Sequence, residues 1–347
     1  MNRTHRFADF AVLPTHPHLL VAILEDHTHP APSDVETSLV LINSSTKTVS
    51  PVVSGADFYA SPRFSPDGKY VAWQQWYHPD MPWDGAEIYV AKVAVSSDGQ
   101  SLDFVDRTLV GGVPGKISAA SPFWVSNETV MFTSDVSGFQ NPWSYSTVTG
   151  NSAAVLPTPL EKEFSLPAWN LGESYGAALD EKGEEIIYSV MEDGRAELYL
   201  LYRSSGQTLK IESPYADIYS VRSIPKQGGV VFFGAPSSDP PAIVTLPYGP
   251  LSTQSFETMK TIFPTTSSTL SPGSGFISVP QPITIKVPPN DDPVYLNYYP
   301  PTNENYSGGE EGEKPPCVVG VHGGPTMMSK RPLDWSIQYY TSRGWAW

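Results

Sequence analysis

Along the first 263 residues, short apolar runs alternate with polar clusters rich in turn formers, and no sustained helical period interrupts them. The segment SPRFSPDGKYVAWQQW, Ser61–Trp76, shows the unit most clearly. Pro66 fixes φ for a tight turn, Gly68 supplies a residue free to take positive φ, and Tyr70, Val71, Ala72 and Trp73 follow as a buried strand. Related segments recur at Ser121–Ser134 and Leu166–Leu179, and more loosely at Phe7–Leu24 and Tyr219–Gly234. Each leads into a second hairpin, such as SLVLINSSTKTVSPVV or ELYLLYRSSGQTLKI. Four strands per unit, at a spacing on the order of 50 residues, predict propeller blades. Five units fit between about Phe7 and Phe263. The competing arrangement is a β-sandwich with accidental spacing, which does not account for the repeated turn-then-aromatic-strand pattern.

The pattern changes near residue 264. Residues 264–280, beginning PTTSSTLSPGSG, read as a linker between a propeller over 1–263 and a second unit over 281–347. In that unit PITIKV and PVYLNYY predict a strand pair, and CVVGV predicts a short buried strand. DWSIQYYTSRG predicts a helix capped by Asp334 and stopped by Gly344. The final WAW has the character of one more strand. Strand, loop, helix, strand is an α/β order. The expected fold is therefore mostly β: a propeller followed by the start of an α/β-hydrolase domain.

Propeller, linker, strand pair, then VVGVHGGPT and YYTSRGWAW: this order resembles the prolyl oligopeptidase family of serine peptidases. Within it the chain is most similar to the acylaminoacyl-peptidase and dipeptidyl-aminopeptidase branch, which Ser54–Ala91, with Met81-Pro82-Trp83-Asp84, also resembles. The resemblance implies a peptidase acting on short peptides, with no cofactor, because acyl transfer through serine needs none. It implies that Gly324 gives its backbone N–H to an oxyanion hole, that Gly323 and Pro325 shape the turn, and that His322 packs rather than acting as base. The family's nucleophile lies on a later Gly-x-Ser-x-Gly elbow followed by Asp and His, and the chain is expected to hold no Gly-x-Ser-x-Gly anywhere along its length. After His322 there is no histidine, and the one later aspartate is Asp334. The chain is expected to be a middle section of a longer peptidase, inactive by itself, with Trp335, Tyr339, Tyr340, Trp345 and Trp347 partly unburied. The alternative is a non-catalytic propeller that binds proteins or peptides.

Charge and composition narrow the partners. The formal net charge of −15 repels phosphate backbones and anionic lipid, so neither nucleic acid nor membrane is expected as a partner. One cysteine, Cys317, excludes a disulfide framework, and the cytosol is the default compartment. GGVPGKIS, Gly111–Ser118, is one residue short of a phosphate loop and reads as a blade connection. His27 and His29 share a strand face, but a metal site needs three or four convergent ligands and none is expected. The loop Trp76–Glu87 is the remaining candidate. There Asp84 and Glu87 would meet a substrate's amino end, and Trp83 a peptide side chain; the competing role is a loop pinned by its own aromatics.

Overall fold

The computed structural model describes residues 4–225, 227–249, 259–264, 273–310, 312–324 and 327–347. Up to Pro264 they form five four-stranded antiparallel sheets, each a simple meander in chain order. The first holds β1 (His5–Val12), β2 (Leu19–Asp26), β3 (Glu36–Asn43) and β4 (Thr48–Val53). The second holds β5 (Phe58–Phe64), β6 (Tyr70–Trp76), β7 (Glu87–Val95) and β8 (Leu102–Gly111). In the third, β9 (Ala119–Trp124) is followed by β10 (Thr129–Ser134), β11 (Asn141–Ser146) and β12 (Asn151–Ala154). The fourth runs β13 (Gly176–Ala178), β14 (Glu185–Glu192), β15 (Arg195–Tyr202), β16 (Gln207–Ile211), and the fifth β17 (Tyr215–Ser223), β18 (Val230–Pro236), β19 (Ala242–Leu246), β20 (Lys260–Pro264). These are the five blades that the turn-and-strand pattern predicts. Residues 265–272 of the expected linker lie outside the described residues.

Four apolar layers join the five blades. Between the first and second, Leu19, Val21, Leu39 and Leu41 pack against Trp73 and Phe104. Ile88, Val90, Val130 and Phe132 join the second to the third, Met131, Phe164 and Tyr188 the third to the fourth, and Leu198, Ile218 and Phe232 the fourth to the fifth. Both faces of an interior blade are thus apolar, which explains why its strands read as continuous apolar runs. Trp73 is 1% exposed, with Tyr89 stacked on it at 5.6 Å and Phe104 at 5.9 Å.

The first strand of four blades carries a device the sequence pattern does not announce. Asp9, Ser61, Ser121 and Ser220 have φ of 51°, 52°, 54° and 56°. At each the ladder slips: between Ala8 and Ala11, Ala60 and Arg63, Tyr219 and Arg222, and opposite Met131 and Thr133. Such bulges insert an unpaired residue and sharpen local twist. Two are tied together, because Asp9 accepts the Ser61 N–H at 2.8 Å and pairs with Arg63 at 2.7 Å.

After the propeller, β21 (Gln281–Val287) and β22 (Asp292–Tyr298) form a two-stranded ribbon. The short helix α1 spans Pro82–Gly85 and α2 spans Trp335–Thr341. As expected, Asp334 caps α2, accepting from the Ser336 N–H at 2.8 Å, and Gly344 ends that turn at φ 85°. Gln338 anchors the helix by exchanging hydrogen bonds with both backbone groups of Ser278. Trp335, Tyr339, Tyr340 and Trp345 are exposed and Trp347 is half-buried, as the sequence implied.

One expectation fails. Residues 318–321 are not a buried strand: Val319 is 80% and Val321 87% exposed. Only the edge of the predicted pairing exists, a parallel bridge between Cys317 and Ala346, with the Val318 N–H on the Ala346 carbonyl at 2.9 Å. An apolar run becomes a parallel strand only when both its faces are covered. Among the described residues nothing covers these valines. Replacing Trp73 by alanine is expected to cost about 3–5 kcal/mol of propeller stability, whereas Val321→Ala should leave it unchanged. Urea unfolding of both variants checks this, and a large loss from Val321→Ala would contradict the exposed placement.

Candidate functional site

Strand direction defines one end of the propeller. The loops before β5, between β6 and β7, between β10 and β11, and from β12 to β13 all lie at the end where the first strand of each blade begins. The turns around Asp193 and Ser237 share that end. Residues 329–333 dock there. Lys330 Nζ pairs with Asp217 Oδ2 at 2.8 Å. Arg331 donates through Nε to Asn297 Oδ1 at 2.8 Å and through Nη2 to the Asp193 carbonyl at 2.7 Å. Ser237 Oγ donates to the Arg331 carbonyl at 2.8 Å, and the Leu333 N–H to the Pro236 carbonyl at 2.9 Å. The Asn297 amide also donates to the Ser329 carbonyl, at 3.1 Å. A short basic segment is thereby held to the fourth and fifth blades and to β22.

Five residues before Ser329 stands Gly324. Its φ of 75° suits glycine, which has no Cβ to clash there. Pro325 and Thr326 lie outside the described residues. Among the described residues neither the Gly323 nor the Gly324 N–H donates a hydrogen bond. His322 does not pack as expected. It is exposed along with its neighbours from Val319 to Gly324, because the run that carries it is not covered, and its Nδ1 lies 3.4 Å from the Gly323 carbonyl.

The loop between β6 and β7 has separate roles for its three candidates. Asp84 Oδ2 accepts the Met81 N–H at 2.9 Å and so shapes α1. A Cβ at Gly85 would collide with the Gly115 backbone nitrogen, which fixes the loop against the connection after β8. Trp83 meets Trp169 from the loop before β13, their ring centres 4.9 Å apart and tilted by 45°. Glu87 is 5% exposed, beside Gln75, Tyr77 and Tyr89. One of its carboxylate oxygens has no partner. Burial pushes its carboxyl above the usual range, and a hydrogen bond from Tyr89 partly offsets this.

This end of the propeller is acidic. Asp57, Asp80, Asp84, Asp135, Glu161, Glu163 and Glu173 sit on its loops, and among the described residues none forms an ion pair. Burial raises the carboxyls of Asp135 and Glu163, and for Glu163 the nearby charge of Asp135 adds to it. Ser118 links this pair to the tryptophans: its N–H goes to Asp135 Oδ1 at 2.8 Å and its Oγ to the Pro82 carbonyl at 2.7 Å.

The expectation that the chain has no Gly-x-Ser-x-Gly string needs correction. Gly172-Glu173-Ser174-Tyr175-Gly176 has that spacing. It is not a nucleophile elbow, however. An elbow joins a strand to a helix with its serine exposed. Here strand β13 follows, Ser174 is buried, and its Oγ donates to the Val221 carbonyl at 2.7 Å. Glu173 accepts from the Tyr175 hydroxyl instead of orienting a histidine. No group of three metal-capable side chains assembles among the described residues, and His27 bonds Glu25 at 3.0 Å.

No family sequence model and no curated protein matches the chain. Solved structures do. A puromycin hydrolase superposes with a TM-score of 0.83 at 26% identity, over 99% of this chain and 49% of its own. A puromycin-hydrolyzing peptidase of Mycobacterium tuberculosis matches with 0.83 at 29% identity, over 99% and 50%. Prolyl oligopeptidase B from Galerina marginata shares the fold, with 0.67 at 10% identity, over 99% and 45%. The chain spans about half the length of each.

A carboxyl whose folded value is raised contributes stability at low pH that is lost as pH rises through that value. Glu87→Gln, which removes the buried charge, is therefore expected to raise the melting temperature at pH 8 and to change little at pH 4. Melting curves across that range check the sign. An equal gain at both ends would show that burial does not raise the Glu87 carboxyl.

Proposed function

We infer the function of this chain from the prolyl oligopeptidase family, which its sequence resembles and whose fold it shares over nearly its whole length. The reading is a serine-type peptidase of short peptides in the complete protein, with this chain supplying the propeller and the oxyanion turn. The observation that carries it is the Gly323–Gly324 turn, whose amides donate to no described residue and which stands just before the segment clasped to the acidic end of the propeller. A backbone N–H at Gly324 would bind negative charge that develops on the scissile carbonyl oxygen only in the transition state. Such a donor typically contributes about 2.7–4 kcal/mol to lowering the barrier. The Trp76–Glu87 loop, with Trp83, Asp84 and Glu87, would contribute to holding the substrate. Glu87 would act from beneath, because it is buried. A mutant puromycin hydrolase was solved as a complex with PGG, consistent with a peptide ligand in this fold.

The nucleophile, acid and base are taken to lie outside this chain, since Ser174 is engaged within the propeller and no histidine follows His322. No cofactor is required. No helix among the described residues is long and apolar enough to cross a membrane, and a cytosolic site of action is part of the proposal. The second reading, a non-catalytic binding module, is favoured by one feature: the loops of the blades alone bring Trp83 and Trp169 together at the acidic end of the propeller.

Two measurements separate these readings. The transcript beyond the Trp347 codon is expected to encode, in frame, a Gly-x-Ser-x-Gly followed by Asp and His; a verified stop codon there would favour the binding module. The purified 347-residue chain is expected neither to turn over aminoacyl p-nitroanilides nor to be labelled by a fluorophosphonate. Turnover abolished by that reagent would overturn the assignment of the nucleophile to residues outside this chain.

A further inference from the structure

We propose that the centre of the propeller holds one small monovalent anion, of the size and charge of chloride, between Arg63 and Arg222. The site is independent of the peptidase reading. It is made by the bulges in the first strands, because a bulge re-aims the side chains beside it. Two positions after the bulged residue stand Arg63 (after Ser61), Phe123 (after Ser121) and Arg222 (after Ser220). All three line one recess, with Glu173 beside them. Equivalent positions of the second, third and fifth blades thus converge. The recess is about 10 Å³, room for one guest close to the size of water.

The two arginines are held in place but not used up. Trp124 Nε1 donates to the Arg63 carbonyl at 2.8 Å, and Ser174 Oγ to the Val221 carbonyl at 2.7 Å, so the backbone at both is fixed. Arg63 donates through Nη1 to Asp9 Oδ1 and to the Pro62 carbonyl, each at 2.7 Å. Arg222 donates through Nη2 to the Gly172 carbonyl at 2.5 Å. A guanidinium has donors on every nitrogen, and the other nitrogens of both arginines donate to no described residue. Arg63 has Asp9 as its counter-ion, whereas Arg222 forms no ion pair among the described residues. Glu173 does not serve it: its carboxylate accepts from the Tyr175 hydroxyl at 2.5 Å and the Asn170 amide at 3.3 Å. Arg222 keeps accessible surface yet is ringed by protein. This desolvation loosens the hold on its proton, the like charge of Arg63 adds to the effect, and Asp9 opposes it. A small anion between the two accepts charge-assisted hydrogen bonds from both and turns their repulsion into a bridge from the second blade to the fifth. Among the described residues no apolar layer joins the first blade to the fifth, so such a bridge braces the arc where packing does not. The net charge of −15 repels anions in general, so an anion held here is held by the site.

The test melts the 347-residue chain in sodium chloride and in sodium gluconate, an anion too large for the recess, at equal ionic strength. Chloride is expected to raise the melting temperature by about 2–4 °C over gluconate, and the chloride NMR line to broaden when the chain is added. Arg222→Gln should abolish both effects, and Arg222→Lys, which keeps the charge, should retain part of them. In gluconate, where the arginines repel each other without a guest, Arg222→Gln should melt no lower than the unaltered chain. Equal melting of the unaltered chain in the two salts would overturn the site. So would a chloride effect that survives Arg222→Gln, or an equal loss of stability by that variant in both salts, which is the mark of a merely structural arginine.

Discussion

One polar clasp joins the C-terminal residues to the propeller. Lys330 meets Asp217 at the first strand of the fifth blade, and Arg331 and Leu333 add hydrogen bonds to the turns beside it. A single half-exposed ion pair of this kind is worth about 0–1 kcal/mol. The clasp holds because it is a set: one ion pair and five hydrogen bonds converge on five consecutive residues, and several use backbone carbonyls whose positions the sheets already fix. Without it, the glycine turn would have no defined place relative to the propeller. A polar junction also differs from the apolar layers between blades. It breaks and reforms more readily, which is the usual character of interfaces between domains that move.

The blades make the opposite bargain. Their layers bury large side chains such as Trp73, Phe132, Tyr188 and Phe232 almost completely. Rigid sheets free the loops at their ends from structural duty, so those loops can carry unpaired carboxylates and exposed tryptophans. The bulges at Asp9, Ser61, Ser121 and Ser220 interrupt the interior of the first strand in four of the five blades and bend those strands alike. Asp9 shows how they are stabilised, with its carboxylate shared between the Ser61 amide and Arg63 of the next blade.

How much of this was legible in the sequence follows from what each feature depends on. The blades were legible because a Ser-Pro-Asp-Gly turn and an aromatic strand are local signals, and β6 begins at Tyr70 as the turn predicts. The α2 helix was legible for the same reason, through Asp334 and Gly344. Residues 318–321 were misread because burial is not local: the same apolar run is a core strand if covered and exposed if not. The bulges were missed because serine and aspartate at positive φ leave no mark in a period-two pattern. Trp169 was missed because its partner lies on a different blade, and the Gly172–Gly176 string went unrecognised although its spacing was plain; only the fold shows that Ser174 faces Val221.

Residues 329–333 tie the stretch after the glycine turn to the acidic end of the propeller, and the Leu333 amide reports on that clasp directly. Hydrogen exchange on the 347-residue chain, compared with Asp217→Asn, measures that amide alongside those of β6. The Leu333 amide is expected to be protected and to exchange markedly faster in Asp217→Asn while β6 is unchanged. A Leu333 amide that exchanges freely in the unaltered chain would contradict it.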